Sequence, residues 1–293
     1  MRDPVRLLAL ARALEARGIY NGGKLLRGLL EQELISAAGQ RAGASDEALA
    51  SDLEALAPAL GRSYGDRFAA ALMAAARAVR ESSVLPLAEA PAVFTCRGCG
   101  TIALDGPPAA CPRCHSHALT FHEHLPIWFL EPMEPETTLA ALEAGPGAAT
   151  MLVAERDDDA LTTRPDPEEW SARDVLEHLV AAEELLALRV KRLLQEDEPD
   201  LAAQATWAAT PRGDETAPGG EPAPASALLE RYRDLRGETL DLLRACSPEQ
   251  WGRRGHHAEW GVVTLAGQAA YFCRHEASHL GQLAGAITAT ASG

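Results

Sequence analysis

The feature that most constrains the fold is a proline-free segment near the end of the sequence, from about Thr264 to Ala289. Its length predicts one long helix. His275 and His279 are four residues apart, so they lie on one face of that helix, one turn apart. Gln268 and Gln282 share this mixed polar and aromatic face. Two imidazoles at this spacing can bind one metal ion.

The same residues match the pattern His-Glu-x-x-His, which is typical of zinc proteases. Such a protease takes its third metal ligand from an acid or a histidine that follows the second histidine. The sequence after His279 contains no Asp, Glu, His or Cys. The third ligand must therefore come from upstream, which argues against a protease.

The upstream residue that best fits is His178. Ser171 is a good N-cap, and Asp174 stands where a capping box has its acid, so a helix is predicted from Ser171 to about Gln195. On that helix His178 falls on the apolar stripe. A lone histidine there is ordinarily a hydrogen-bonded core residue. Together with His275 and His279, it favours a three-histidine metal site.

Two stretches carry a resemblance to a known family. The pattern Trp-Ser-x6-His-Leu begins at Trp170, and His-x3-His-Leu-x-Gln begins at His275. Both resemble the DinB/YfiT family of metalloenzymes, over roughly residues 136–293. The resemblance implies a four-helix bundle with a long crossover between its second and third helices. It also implies a divalent metal (Zn, Ni or Fe), with open positions, on His178, His275 and His279.

Some relatives in this family use low-molecular-weight thiols, as transferases or isomerases. Ergothioneine-type sulfoxide synthases carry a similar three-histidine iron site. Their motif continues to a glutamate where this chain has Gly281, and they carry a second catalytic domain for which this chain has no room. Around the metal, Asp174, Gln268 and Gln282 are the residues predicted to hydrogen-bond its ligands and orient them.

Four cysteines in the middle of the chain form the pattern C-x2-C-x11-C-x2-C. Each Cys-x-x-Cys forms a tight turn that directs two thiolates to one point, so two of them complete a tetrahedral site. Disulfides or free thiols are the alternative. The segment resembles the rubredoxin-like tail of rubrerythrins, which implies zinc or iron. The predicted ligands are Cys96, Cys99, Cys111 and Cys114.

The composition favours closely packed helices in a soluble protein. Hydrophobic residues make up 47% and aromatic residues only 5%, so the core is built from small aliphatic side chains. The net charge of −15 argues against binding to nucleic acid or to an anionic membrane. Neither a signal segment nor a long apolar run is found, which predicts a cytoplasmic location, where cysteines stay reduced.

The predicted fold class is mainly α, in three parts. Residues 1–90 form a helical module for packing or for a homodimer, residues 91–130 a rubredoxin-like metal ribbon, and residues 136–293 the DinB-like bundle. Within them, Tyr20–Gly23 is predicted as a turn, Ser45 or Ser51 as the cap of a third helix, and Pro58 as a break.

In the bundle, the first helix is predicted from about Thr137 to Glu155, weakened by Gly145-Pro146-Gly147. Residues 196–225 have no regular pattern and suit a crossover. Trp207 within them is predicted either to cover the site or to anchor the loop.

These patterns leave three functions open. The first is a hydrolase or thiol transferase that acts on a small molecule through a three-histidine metal, since three neutral imidazoles leave a divalent ion its full charge. The second is an iron oxidoreductase in which the four-cysteine centre supplies electrons to a three-histidine iron. The third is a binding protein or scaffold with structural metals. The sequence alone identifies neither the catalytic residues nor the substrate.

Overall fold

A computed structural model describes residues 3–39, 45–154, 156–167, 169–201 and 223–291. The chain divides into two compact units, Met1–Leu85 and Pro86–Gly293. Each is described by itself. The three predicted domain boundaries stay a prediction.

The N-terminal unit consists of helical hairpins. Helices α1 (Pro4–Glu15) and α2 (Tyr20–Gly39) pack against each other, as do α3 (Asp46–Tyr64) and α4 (Asp66–Arg80). The side chain of Ser45 accepts a hydrogen bond from the backbone N–H of Ala48 and so caps α3. Of the two predicted caps for this helix, Ser45 is therefore the one that the structure uses.

Two predictions in this unit are wrong. Tyr20–Gly23 is the first turn of α2, not a loop, because its glycines allow the two helices to approach: a Cβ on Gly22 would lie 3.1 Å from Leu14 Cδ1. Pro58 lies inside α3 without ending it. The adjacent Ala57 is buried, and this packing offsets the hydrogen bond that proline removes.

The second unit opens with a small antiparallel sheet. Strands β1 (Val93–Cys96), β2 (Ile102–Leu104) and β3 (Phe121–Glu123) are arranged in the order β2-β1-β3. Thr95 pairs with Ile102 on one side and with His122 on the other. The first Cys-x-x-Cys turn connects β1 to β2, and an isolated bridge between Ala110 and His117 closes the second.

The rest of this unit is a four-helix bundle, which confirms the predicted mainly α fold. Its helices are α5 (Pro135–Val153), α7 (Ala172–Gln195), α8 (Ala225–Arg244) and α10 (Leu265–Ala291), and α5 and α7 each contact both α8 and α10. Shorter elements connect them: α6 (Asp158–Thr162), α9 (Pro248–Trp251), β4 (Arg254–His257) and β5 (Gly261–Thr264).

The connection between α7 and α8 includes residues 202–222, which lie outside the described residues, and so does Trp207. Helix α5 runs without interruption through Gly145-Pro146-Gly147, so the expected weakening does not end it.

The interior of the bundle has two apolar clusters with a polar layer between them. One cluster includes Leu186, Leu193 and Phe272, and the other includes Leu179 and Leu283. On α10 the boundary between them falls in the stretch that carries the predicted metal ligands. The polar layer consists of His275 with the buried charged residues Glu183, Arg236 and Glu276.

None of the helices in the described part of the chain is long and apolar enough to cross a membrane.

Candidate metal centres

Helix α7 begins with the predicted capping box. The hydroxyl of Ser171 accepts a hydrogen bond from the backbone N–H of Asp174 (3.1 Å), and the Asp174 carboxylate accepts one from the N–H of Ser171 (2.9 Å). This pair fixes where the helix starts and hence the rotation of His178, two turns later, toward α10.

The three predicted histidines converge. His275 Nε2 lies 3.4 Å from His178 Nε2 and 3.1 Å from His279 Nε2. Metal–nitrogen bonds of ~2.0–2.1 Å at angles between octahedral and tetrahedral require nitrogen separations of about 2.8–3.4 Å. The spacing therefore fits one shared ion, and each ring directs the same type of nitrogen to it.

The environment keeps these imidazoles neutral, which is the form that binds metals. Burial lowers the pKa of His178 to about 4 and that of His275 to about 3, and the neighbouring His279 adds to both effects. Burial also lowers the pKa of His279. At neutral pH all three rings can offer a lone pair.

Gln282, one of the three residues predicted to orient the metal ligands, contacts one of the rings. Its side-chain Oε1 lies 2.8 Å from His279 Nδ1. Because a carbonyl oxygen only accepts, Nδ1 carries the proton and Nε2 keeps its lone pair for the centre.

The other two residues predicted to orient the metal ligands have different partners. Asp174 caps α7 and pairs with Arg164 at 3.1 Å, and Gln268 accepts a hydrogen bond from Arg189 at 3.0 Å. Gln268 stands two turns before His275 on α10, too far for its short side chain to reach the ring. For these two residues the assignment is corrected: a shared helix stripe brings residues to one face, not to one contact.

Aromatic rings surround the histidines. Trp170 stacks on His279 with ring centroids 5.9 Å apart and planes 9° apart, and meets His178 at 5.0 Å. On the other side Phe129 points edge-on at His275, at 5.8 Å and 90°. These apolar walls lower the local dielectric constant and strengthen electrostatic interactions at the centre.

The glutamate of the His-Glu-x-x-His pattern does not belong to this group. Glu276 is buried and pairs with Arg236 at 2.6 Å, and Arg236 also pairs with Glu183 at 2.7 Å. Its carboxylate occupies the space beside Gly145 on α5, where a Cβ would overlap Glu276 Oε1. Sequence reasoning missed this ion-pair network. The glycine inside α5 was its only signal, and it was interpreted as a weak point.

The four predicted cysteines form the second cluster. Cys96 Sγ lies 3.6 Å from Cys114 Sγ, Cys99 Sγ lies 3.6 Å from Cys111 Sγ, and all four sulfurs lie within 4.8 Å of one another. Tetrahedral bonds of ~2.3 Å to zinc place sulfurs about 3.8 Å apart. No disulfide forms among the six cysteines, so the disulfide alternative is excluded here.

One of these thiols, that of Cys111, is biased toward the thiolate form that binds a metal. Backbone N–H groups, that of Cys114 above all, lower the pKa of Cys111 to about 6 against the opposing effect of burial. Within the described residues no histidine or acid joins this cluster. The geometry thus fits an S4 site. Whether its metal is zinc or iron, and whether the ribbon is rubredoxin-like, stay predictions.

Comparison with known proteins gives a family match in the C-terminal half of the chain. Residues 141–283 match the model of the DinB superfamily. YfiT from Bacillus subtilis, described as a probable metal-dependent hydrolase with an unusual four-helix bundle topology, aligns with a TM-score of 0.46 and 21% identity, over 53% of this chain and 89% of its own. No curated protein matches the chain significantly. The match to the DinB superfamily thus falls on the C-terminal bundle, as the two histidine motifs predicted.

Proposed function

We propose that this protein is a metal-dependent enzyme that acts on a small molecule at His178, His275 and His279. The observation that carries the proposal is the convergence of the three Nε2 atoms, at 3.1 and 3.4 Å, in a layer between two apolar clusters. His275 is buried and His178 and His279 are half-buried, so bringing three neutral imidazoles together here is costly unless a ligand satisfies their nitrogens.

The donor set determines what the centre can supply. A divalent ion on neutral imidazoles keeps its full charge, acts as a Lewis acid, and lowers the pKa of a bound water or thiol. Around it, Gln282 holds the His279 ring in one tautomer, while Trp170 and Phe129 limit the access of bulk water. The protein thus orients the imidazole ligands and limits the bulk water around the ion.

Of the two reactions implied by the family resemblance, thiol transfer fits the surroundings better than hydrolysis. Hydrolysis commonly uses a carboxylate as general base, and the nearest one in sequence, Glu276, is held by Arg236. In the described part of the chain no carboxylate oxygen belongs to the histidine cluster. A coordinated thiol loses its proton without such a base. We therefore propose a low-molecular-weight thiol as co-substrate.

The proposal is tested by activity together with metal content. We expect the purified protein to transfer a thiol to a chromogenic electrophile in a panel of low-molecular-weight thiols. His275→Ala should lose the metal of this site and roughly 100-fold or more of the rate. His256→Ala, which changes an exposed histidine of β4, is the matched control and should retain both.

Three results would count against this function. A His275→Ala protein with an unchanged rate would show that the chemistry occurs elsewhere. Turnover of ester or amide substrates, with no thiol dependence, would favour the hydrolase. A coloured protein with the visible spectrum of an FeS4 centre would revive the oxidoreductase.

A further inference from the structure

Arg189 on α7 is a buried cation that lies away from the three histidines. Arg189 is only 5% exposed to solvent. Its Nη1 donates to Gln268 Oε1 at 3.0 Å, and its Nη2 donates to the carbonyl of Leu201 at 3.2 Å. Both acceptors are neutral, so neither balances the charge of the guanidinium.

The same bundle shows how a buried arginine is otherwise accommodated. Arg236, 3% exposed, has two carboxylates within 2.7 Å, those of Glu183 and Glu276. Among the described residues no carboxylate forms an ion pair with Arg189. A buried charge is expensive unless it is paired, so the missing partner requires an explanation.

Two hydrogen-bond donors are also left over at this position. Arg189 Nε and Gln268 Nε2 are both buried, and neither has a hydrogen-bond partner in the part of the chain that the structure describes. The orientation of the Gln268 amide is fixed, because arginine only donates and must therefore face Oε1. Both unsatisfied atoms carry hydrogens. The group that completes the site is an acceptor, and the positive charge makes it an anion.

The described residues around Arg189 favour a bound anion, but none of them supplies a carboxylate to the guanidinium. The guanidinium lies over the rings of Trp260 and Phe272, with Cζ 6.0 and 5.8 Å from the centroids. Burial, and then the charge of Arg189, lower the pKa of His257 to about 4, so this ring is neutral at pH 7. Two acids lie nearby, but their charges influence other groups. Asp200 acts to raise the pKa of His257, and Glu259 acts to raise the pKa of Tyr271.

The cluster is connected to the three histidines by one aromatic residue. Tyr271 stacks on His275 with ring centroids 5.8 Å apart and contacts Trp260 at 4.4 Å. Gln268 and His275 are seven residues apart on α10, which separates them by about 10 Å along the helix axis. A molecule of ordinary metabolite size can span that distance.

We propose that Arg189 and Gln268 bind a carboxylate group of the substrate, whose reacting end reaches the three histidines. A carboxylate has two acceptor oxygens and one negative charge, which matches two free donors and one unpaired cation. The assignment rests on the proposed function in identifying the bound carboxylate as part of a substrate. The anion site itself does not depend on it.

The test measures the unfolding temperature of the full chain in acetate, with acetamide and sodium chloride as neutral and inorganic controls at constant ionic strength. Acetate should raise the Tm of the wild type by roughly 3 °C at ten times its Kd. Acetamide and chloride should not. Arg189→Gln should abolish the response, whereas Arg192→Gln, which changes a partly exposed arginine on the same helix, should retain it.

Gln268→Glu is a second test of the proposal, and it remains valid even if Arg189→Gln fails to fold. It supplies the missing carboxylate from the chain itself, so it should raise Tm in buffer alone and remove the response to acetate. A retained acetate response in Gln268→Glu or in Arg189→Gln overturns the proposal. An effect of chloride as large as that of acetate overturns the carboxylate assignment. His275→Ala should lose its metal but keep the acetate response, which separates this site from the proposed function.

Discussion

His275 and Glu276 are adjacent in the chain but serve different parts of the bundle. The ring of His275 meets two other imidazoles, whereas the carboxylate of Glu276 meets Arg236. One side chain belongs to the candidate metal centre and the other to the buried ion pairs that hold α8 against α10. Removing one partner of such a pair leaves a buried charge uncompensated and commonly costs about 3–5 kcal/mol.

At the scale of single residues, His257 predicts a pH dependence of stability. Burial, with the charge of Arg189, lowers its folded-state pKa to about 4, against about 6.5 when unfolded. Below pH 6.5 the unfolded state therefore binds more protons. The contribution of His257 is fully present above that pH and is lost as the pH falls toward 4. His257→Gln should show a shallower loss of unfolding free energy between pH 7 and 4.5.

The control for this experiment is His256→Gln, which changes the adjacent, exposed ring on β4. Urea unfolding at several pH values measures both variants. Equal slopes for the two variants would show that His257 does not titrate in this way.

At the scale of elements, α5 holds two glycines with opposite roles. A Cβ on Gly145 would overlap the carboxylate of Glu276, whereas a Cβ on Gly147 would have nothing within 4 Å. Alanine is the better helix former by about 0.5–1 kcal/mol. Gly147→Ala should therefore raise the unfolding free energy by about that amount. Gly145→Ala should lower it by about 1–3 kcal/mol, because the overlap must be relieved by movement in a packed core.

Calorimetry or urea unfolding of the two variants, which differ only in position on one helix, decides between these outcomes. If both substitutions stabilise equally, Glu276 does not lie against α5.

What the sequence could predict at this scale follows from which signals are local. The capping box of Ser171, the spacing of His275 and His279, and the Cys-x-x-Cys pairs are patterns within a few residues, and each one is found as predicted. Glycines and prolines were also interpreted from their local sequence, as turns, breaks or weak points, and in the structure they lie inside continuous helices. The role of Gly145 depends on a residue 131 positions later, which no local pattern contains.

The buried charged groups are the other part that sequence could not supply. Arg236 and Arg189 look alike in a helical pattern, yet only one of them meets carboxylates. Their difference depends on which side chains the packed bundle brings together. For the same reason Asp174 and Gln268 were assigned to the metal on the basis of a shared face.

At the scale of the whole molecule, the two units differ in how they bury apolar side chains. The bundle has two extended clusters, whereas in Met1–Leu85 several large apolar residues stay exposed, among them Leu10, Leu25, Leu34 and Ile35. This composition agrees with a role in homodimer formation, which stays a prediction. So does the expected lack of nucleic-acid binding at a net charge of −15.

The central claim is that the chain holds two separate metal centres, one on three histidines and one on four cysteines. Metal analysis of the wild type and two variants tests it most directly. The wild type should contain two equivalents per chain. Cys99→Ala should lose the ribbon metal and keep the other, and His275→Ala should do the reverse. The account is contradicted if His275→Ala retains both metals, or if either substitution leaves the metal content unchanged.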